Sequence, residues 1–235
     1  MKKTPLSLRP IRLQKSYAGH AEGSCLVSMG KTTVLCIATV EDKVPPHAEA
    51  KGTGWITAEY AMLPRAGEHR SDRSRVTTGG RVQEISRLVG RSLRAAFDLT
   101  ALGPRTITVD CDVLRADGGT RTASINGGFV AAFQAMQLLV KKRQLAAIPL
   151  REFVAAVSVG LCNDKPTVDL CYVEDRDADA DVNLVMTESG KFVEIQGTGE
   201  GRSFSPAELD KMVSAGRRAI AQIVAAQKRV LGWRK

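Results

Sequence analysis

The stretch Ala116-Asp117-Gly118-Gly119-Thr120-Arg121-Thr122-Ala123-Ser124 decides how this chain is read. Before it, residues 106–114 alternate Ile107, Val109, Cys111 and Val113 with Thr106, Thr108, Asp110 and Asp112. That is the period of a half-buried strand. After it, residues 125–142 form a helix-like apolar run with Phe129, Val130, Phe133, Met136 and Leu139. Two adjacent glycines between strand and helix let the backbone approach a ligand, because no Cβ stands in the way. A helix N-terminus there aims free N–H groups and partial positive charge outward. Thr120, Thr122 and Ser124 add hydroxyls and Arg121 adds a planar cationic fork. Those parts suit an oxyanion, most simply phosphate. The same letters also read as a Gly-Gly turn followed by an ordinary Thr/Ser N-cap. A nucleotide P-loop is excluded. The one Gly-Lys-Thr, at 30–32, has Cys25 where the first glycine should stand, and it lies between two strand-like runs as a hairpin turn.

Working outward, residues 11–17, 24–29 and 33–40 read as strands, and 41–54 reads as loop. Residues 55–62 are strand-like, and 63–80 has almost no apolar residues, as a long surface loop would. An amphipathic helix is expected over 81–99, with Val82, Ile85, Leu88, Val89, Leu93 and Phe97 on one face. Residues 153–162 and 167–173 read as a strand pair, followed by strands at 182–186 and 191–196 around the turn Glu188-Ser189-Gly190. The last helix opens at Ser205, with Pro206 at N1 and Glu208 completing a capping box, and runs to about Leu231. Strands come in pairs and then a helix follows. This favours an α+β fold of layered sheets over a doubly wound parallel sheet. With no linker or low-complexity tract, a single domain over 1–235 is expected. A faint echo links Val40-Glu41-Asp42 with Val173-Glu174-Asp175.

The 235 residues are 43% hydrophobic, enough for a substantial core, and the formal net charge of +9 favours a polyanionic partner. No apolar run reaches the roughly 18 residues of a membrane span, so no membrane role is expected. The basic start, Met1-Lys2-Lys3, leads into Leu6-Ser7-Leu8-Arg9-Pro10 without an apolar core, so no signal peptide is expected. Cys25, Cys36, Cys111, Cys162 and Cys171 show neither C-x-x-C nor zinc spacing. They suit small buried hydrophobes in a reducing compartment, which makes the cytoplasm the expected location.

Two clusters carry chemistry. Eight arginines lie between Arg65 and Arg94. Those of the loop, from Arg65 to Arg75, form a cationic rim suited to a phosphate backbone. Arg81 follows Gly79-Gly80 and opens a helix, so it can aim at an anion. Arg87, Arg91 and Arg94 read as structural or subunit contacts. The acidic segment 174–181 alternates Asp175, Asp177, Asp179 and Asp181. An extended backbone would put all four on one face, where magnesium or manganese is a suitable counter-ion. The segment also reads as a soluble acidic turn. No nucleophile stands out, and His20, His47 and His69 read as surface or capping residues. Metal-assisted phosphoryl chemistry therefore fits better than covalent catalysis.

Together these segments resemble the ribonuclease PH family over nearly the whole chain. The resemblance rests on Leu8-Arg9-Pro10-Ile11, on His20-Ala21-Glu22-Gly23-Ser24, and on Gly54-Trp55-Ile56-Thr57-Ala58-Glu59-Tyr60 running on to Met62-Leu63-Pro64-Arg65. It continues in Gly79-Gly80-Arg81, Asp110-Cys111-Asp112-Val113-Leu114, the 116–124 stretch, Val173-Glu174-Asp175 and Gln196-Gly197-Thr198. It implies a β-α-β-α layered fold with mixed sheets packed against helices. It also implies a phosphate-dependent 3′→5′ exoribonuclease that trims precursor tRNA and other RNA, releases nucleoside diphosphates, and adds nucleotides in reverse. On this chain it implies phosphate binding by Arg81, Gly119, Thr120 and Arg121, with Ser124 a further contact. It implies catalytic and metal-binding roles for Asp175 and Asp181, with Mg2+ or Mn2+ as cofactor and inorganic phosphate as co-substrate. RNA gripping falls to Arg70 and Arg73, with Arg65 beside them. The assembly implied is a homohexamer, a trimer of dimers. The alternative is a catalytically silent RNA-binding subunit of an exosome-like ring. This sequence departs from the family in a shorter 65–81 loop without the lysine-rich run, and in Asp177 and Asp179 within the acidic segment.

Overall fold

The computed structural model describes residues 3–233; Met1, Lys2, Arg234 and Lys235 lie outside the description, and with them the first part of the basic N-terminus. Strands β1 (Ile11–Lys15), β2 (Gly23–Met29) and β3 (Thr32–Glu41) form an antiparallel meander. The single turn α1 (Pro46–Glu49) leads to β4 (Trp55–Met62). Helices α2 (Arg73–Thr78), α3 (Gly80–Ala96) and α4 (Leu99–Leu102) then carry the chain back to β5 (Thr106–Arg115). β5 pairs parallel to β4 and antiparallel to β3, so the first sheet is mixed, in the order β1-β2-β3-β5-β4. After α5 (Thr120–Lys141) comes a second sheet of β6 (Val154–Cys162), β7 (Lys165–Val168), β8 (Ala180–Thr187) and β9 (Phe192–Gly199), ordered β7-β6-β8-β9. The short helix α6 (Tyr172–Arg176) lies between β7 and β8, and α7 (Pro206–Leu231) closes the fold.

The layers follow from which faces are apolar. On the first sheet Cys25, Val27, Val34, Cys36, Val109, Cys111 and Ile56 point one way and are fully or almost fully buried, against α3 and α5. Strand β6 is buried along almost its whole length because α5 covers one side of the second sheet and α7 the other. Such a strand reads as a continuous apolar run, as Val154 to Leu161 does. The result is sheet, helices, sheet, helix: an α+β β-α-β-α layered fold with mixed sheets, as the resemblance implied. Helix α5 is long and apolar enough to cross a membrane by composition, but it is the buried middle of this stack.

Aromatic packing ties the layers at one end, where the Phe97 and Phe129 rings stack at 5.5 Å and Trp233 meets Phe133 edge-on at 5.6 Å. Polar latches tie them in the middle. The Asn126 side chain, fully buried on α5, donates to the Ala156 carbonyl at 2.9 Å and accepts from its N–H at 2.8 Å. From α7, Gln227 donates to the Val154 carbonyl at 3.1 Å. Both satisfy polar groups that burial would otherwise leave costly.

Four readings are corrected. The 63–80 stretch contains α2 rather than loop alone. The helix after the glycine turn begins at Thr120, not residue 125. The strand expected over 167–173 ends at Val168, because Asp169 takes a left-handed φ of 56° and the chain turns helical from Tyr172. That last change also breaks the echo: Glu41 ends a strand, whereas Glu174 lies within a helical turn.

Candidate active site

The glycine turn adopts the conformation its sequence requires. Gly118 and Gly119 have φ of 72° and 64°, and a Cβ on Gly118 would meet the Leu170 carbonyl oxygen at 2.3 Å. Any other residue there would be strained and would clash. Gly119 is the N-cap of α5, and no side chain caps that end. Its first N–H groups are therefore free to bond a ligand.

The turn is held from behind. The Thr32 hydroxyl donates to the Gly118 carbonyl at 2.6 Å and accepts from the Asp117 N–H at 2.9 Å. The Arg9 guanidinium donates to the Asp117 carbonyl and, at 2.6 Å, to the Asp169 carboxylate. That carboxylate also accepts the Arg9 backbone N–H at 2.8 Å. Burial works against the Arg9 charge, but the hydrogen bond and charge of Asp169 outweigh it and raise the Arg9 pKa. Arg9 thus ties the glycine turn to the segment that leads into α6. The Asp117 carboxylate adds a second tie by accepting the Tyr172 N–H at 3.2 Å.

In front of the turn opens a cleft of about 1250 Å³, whose wall includes Arg65, Arg81, Thr120, Arg121, Asp175 and Asp181. Arg121 is held in place by Gln196 at 3.0 Å and Glu84 at 3.3 Å. Thr120 accepts from the Tyr60 hydroxyl at 2.8 Å, and burial pushes the Tyr60 phenol up. Asp175 comes from α6 and Asp181 from β8, where Asp181 pairs with Gly160 and Thr198 across the sheet. Asp175 is raised by loss of water around its carboxyl, against the pull of Arg81 and Arg121. Asp181 is raised first by loss of water and then by the Asp175 charge, again opposed by Arg121. Two carboxylates that resist ionising together, facing two arginines and an uncapped helix end, can bind an oxyanion on one side and a cation or proton on the other.

The structure brings Arg65, Arg81, Gly119, Thr120, Arg121, Asp175 and Asp181 to one cleft. It does not bring Ser124 there. Ser124 is fully buried, and its hydroxyl donates back to the Thr120 carbonyl at 2.9 Å, so it cannot touch a ligand in the cleft. Nor do Arg70 and Arg73 reach the wall; both are exposed on the segment leading into and opening α2. The four alternating aspartates do not share a face. Asp177 is turned out to pair with Arg176 at 2.7 Å, and the Asp179 carbonyl receives the N–H groups of Glu200 and Gly201. Arg91 and Arg94 serve the fold, Arg91 pairing with Glu194 at 2.7 Å and Arg94 lying 4.4 Å over the Trp55 ring. Residues missed from the sequence are Arg9, Asp169, Asp117 and Tyr60 behind the site and His69 on its wall. Arg9, Tyr60 and Asp117 stood inside stretches that carry the resemblance, without a role attached to them, whereas Asp169 and His69 carried no signal.

Similar proteins sharpen the picture. In overall structure the chain is similar to rice (Oryza sativa) Rrp46, with a TM-score of 0.79 and 19% identity over 97% of this chain and 98% of that one. It is similar to an archaeal exosome core at 0.77 and 20% identity, over 96% and 89%. It is similar to the Archaeoglobus fulgidus exosome, solved with RNA bound to its active site, at 0.78 and 20% identity over 94% and 89%. At these identities the likeness is one of fold. The sequence itself matches the 3′ exoribonuclease family, domain 1, over residues 7–136, and domain 2 of the same family over 152–219. The first match carries the glycine turn, Arg81 and Arg121, and the second carries Asp175 and Asp181, so the chain belongs to the 3′ exoribonuclease family.

Proposed function

We propose that the chain is a phosphate-dependent 3′→5′ exoribonuclease that trims the 3′ ends of precursor tRNA and other RNA and releases nucleoside 5′-diphosphates. The observation that carries this reading is the single cleft in which Arg81, Arg121 and the uncapped N-terminus of α5 face Asp175 and Asp181.

Inorganic phosphate sits against Gly119, Thr120 and Arg121, with Arg81 across from them. The last phosphodiester of an RNA strand lies between that phosphate and the aspartates. A phosphate oxygen attacks the phosphorus, and the bond to the 3′ oxygen of the preceding nucleotide breaks. That oxygen needs a proton, and Asp181 on the cleft wall is its donor in this reading when the carboxyl is not holding a cation. Running backwards, the same groups add a nucleotide from its diphosphate. Most of the rate enhancement comes from charge held ready rather than from covalent help.

Asp175 and Asp181 would hold a magnesium or manganese ion. Among the described residues no third His, Cys, Asp or Glu joins them, which suits a cation that takes one or two carboxylates and completes its shell with substrate phosphates. Such an ion would offset the charge growing on the phosphoryl oxygens. Arg65 and His69 on the wall guide the strand, and Arg70 and Arg73 attract RNA from farther out. The chain assembles as a homohexameric ring, a trimer of dimers.

A second reading, an RNA-binding ring subunit that does not cut, is favoured by the end-to-end likeness to Rrp46 and to exosome cores. The retained pairs Arg81/Arg121 and Asp175/Asp181 speak for the first. Labelled single-stranded RNA incubated with magnesium, with and without phosphate, separates the two. Diphosphates formed only with phosphate support cutting by phosphorolysis, whereas RNA bound but uncut supports the silent subunit.

A further inference from the structure

We propose that Tyr172 is a stacking platform for the base of the RNA's last nucleotide, a nucleobase subsite beside the phosphate-handling cleft. This rests on reading that cleft as the site of an RNA 3′ end. Tyr172 opens α6, and Asp175 lies three residues on, so both point from the same side of the helical turn, with Cβ atoms about 5–6 Å apart. Both stand on the cleft wall, and among the described residues Tyr172 is the only Phe, Tyr or Trp that does.

Tyr172 is 50% exposed and Val173 beside it 53%. An exposed ring is ordinary on a loose loop, but this one stands on a pinned backbone. Its N–H is bonded by the Asp117 carboxylate at 3.2 Å. Glu174 accepts the Cys171 N–H at 2.9 Å and pairs with Lys3 at 2.7 Å. The platform and the phosphate turn therefore share an anchor, Asp117, which fixes the distance between them.

A nucleotide carries its base one sugar away from its phosphate. Asp175, one of the two carboxylates assigned to the scissile phosphate, stands on α6 itself, so a base stacked on Tyr172 lies within one nucleotide of that phosphate. An aromatic face accepts any base, because stacking is sequence-tolerant. An enzyme that removes nucleotides one after another needs that tolerance at the terminal position. No buried donor or acceptor is required, and Tyr172 loses little freedom on binding because its backbone is already fixed.

The test is a titration of single-stranded RNA carrying 2-aminopurine as its last nucleotide, without phosphate or magnesium so that no turnover occurs. Tyr172→Ala is expected to weaken binding roughly tenfold, while Tyr172→Phe stays within about twofold of the unaltered protein. RNA whose last nucleotide lacks its base should bind the unaltered protein roughly tenfold more weakly and be indifferent to Tyr172→Ala. Equal binding by Tyr172→Ala, or losses that simply add, would overturn the proposal. So would unchanged RNA binding with a changed sedimentation coefficient, which would make Tyr172 a contact between copies of the chain. Diphosphate release is measured alongside on the unaltered protein. Tyr172-dependent binding without any release upholds the platform and sinks the phosphorolytic reading alone.

Discussion

Asp181 is ionised at neutral pH only against loss of water and the charge of Asp175, so its folded-state pKa stands above the unfolded value. The sign follows: the penalty is present above the raised pKa and absent below the ordinary carboxylate range. Asp181→Asn should therefore raise the melting temperature slightly at pH 7 and lose that advantage as the pH falls into the carboxylate range, while turnover is abolished and RNA binding survives. Paired thermal melts and RNA titrations across that window check it; loss of turnover and binding together would deny Asp181 a specific role. Arg9 behaves oppositely. Removing it leaves Asp169, fully buried, without its partner. Arg9→Ala should cost about 3–5 kcal/mol of stability by denaturant unfolding. None of this was legible from the letters around Asp169, because its partner lies far away in sequence and a lone aspartate after a strand reads as a turn. Ser124 shows the reverse error. A serine in the second turn of a helix cannot reach the helix's own N-terminal ligand, and its hydroxyl bonds back to Thr120 instead.

At the level of elements, the capping signals were the most readable. Ser205, Pro206 and Glu208 form the expected cap, and the Glu208 carboxyl is held down to about 2 by Arg202 and by Ser205. Ser205→Ala should cost about 1 kcal/mol, measured by denaturant unfolding, with a smaller loss pointing to Arg202 as the stronger hold on Glu208. Helix α6 was the least readable. Val168, Leu170 and Tyr172 alternate as a strand would, and nothing in that pattern announces the left-handed Asp169 that ends β7. Short-range periodicity sees faces and not the tertiary bonds that turn a chain. Helix α2 was hidden for another reason. None of its residues is buried, so no apolar stripe marks it. Because Arg70 and Arg73 stand outside the cleft, their joint replacement by alanine should leave the phosphate requirement unchanged and weaken RNA binding. The slope of log K against log salt should flatten by about 1.4 for two lost contacts. A slope equal to that of the unaltered protein would remove both from the RNA path.

Across the whole molecule, the layered architecture was legible because each sheet buries one or both faces and the helices between them are apolar in proportion. What joins the layers was not: Asn126 and Gln227 are polar residues in apolar settings, and sequence alone gives no hint of the backbone groups they satisfy. The cleft is likewise a property of the assembled fold. Arg81 and Arg121 come from α3 and α5 and Asp175 and Asp181 from α6 and β8, four elements on the two sides of the family match. The central claim is that Arg121 and the α5 N-terminus bind the attacking phosphate. The most direct measurement is the phosphate dependence of nucleoside diphosphate release from a single-stranded RNA, for the unaltered protein and for Arg121→Ala. The account predicts release only with phosphate, and a phosphate KM raised at least tenfold by the substitution, equivalent to about 1.4 kcal/mol of lost binding. An unchanged phosphate KM, or nucleoside monophosphates released without phosphate, would contradict it.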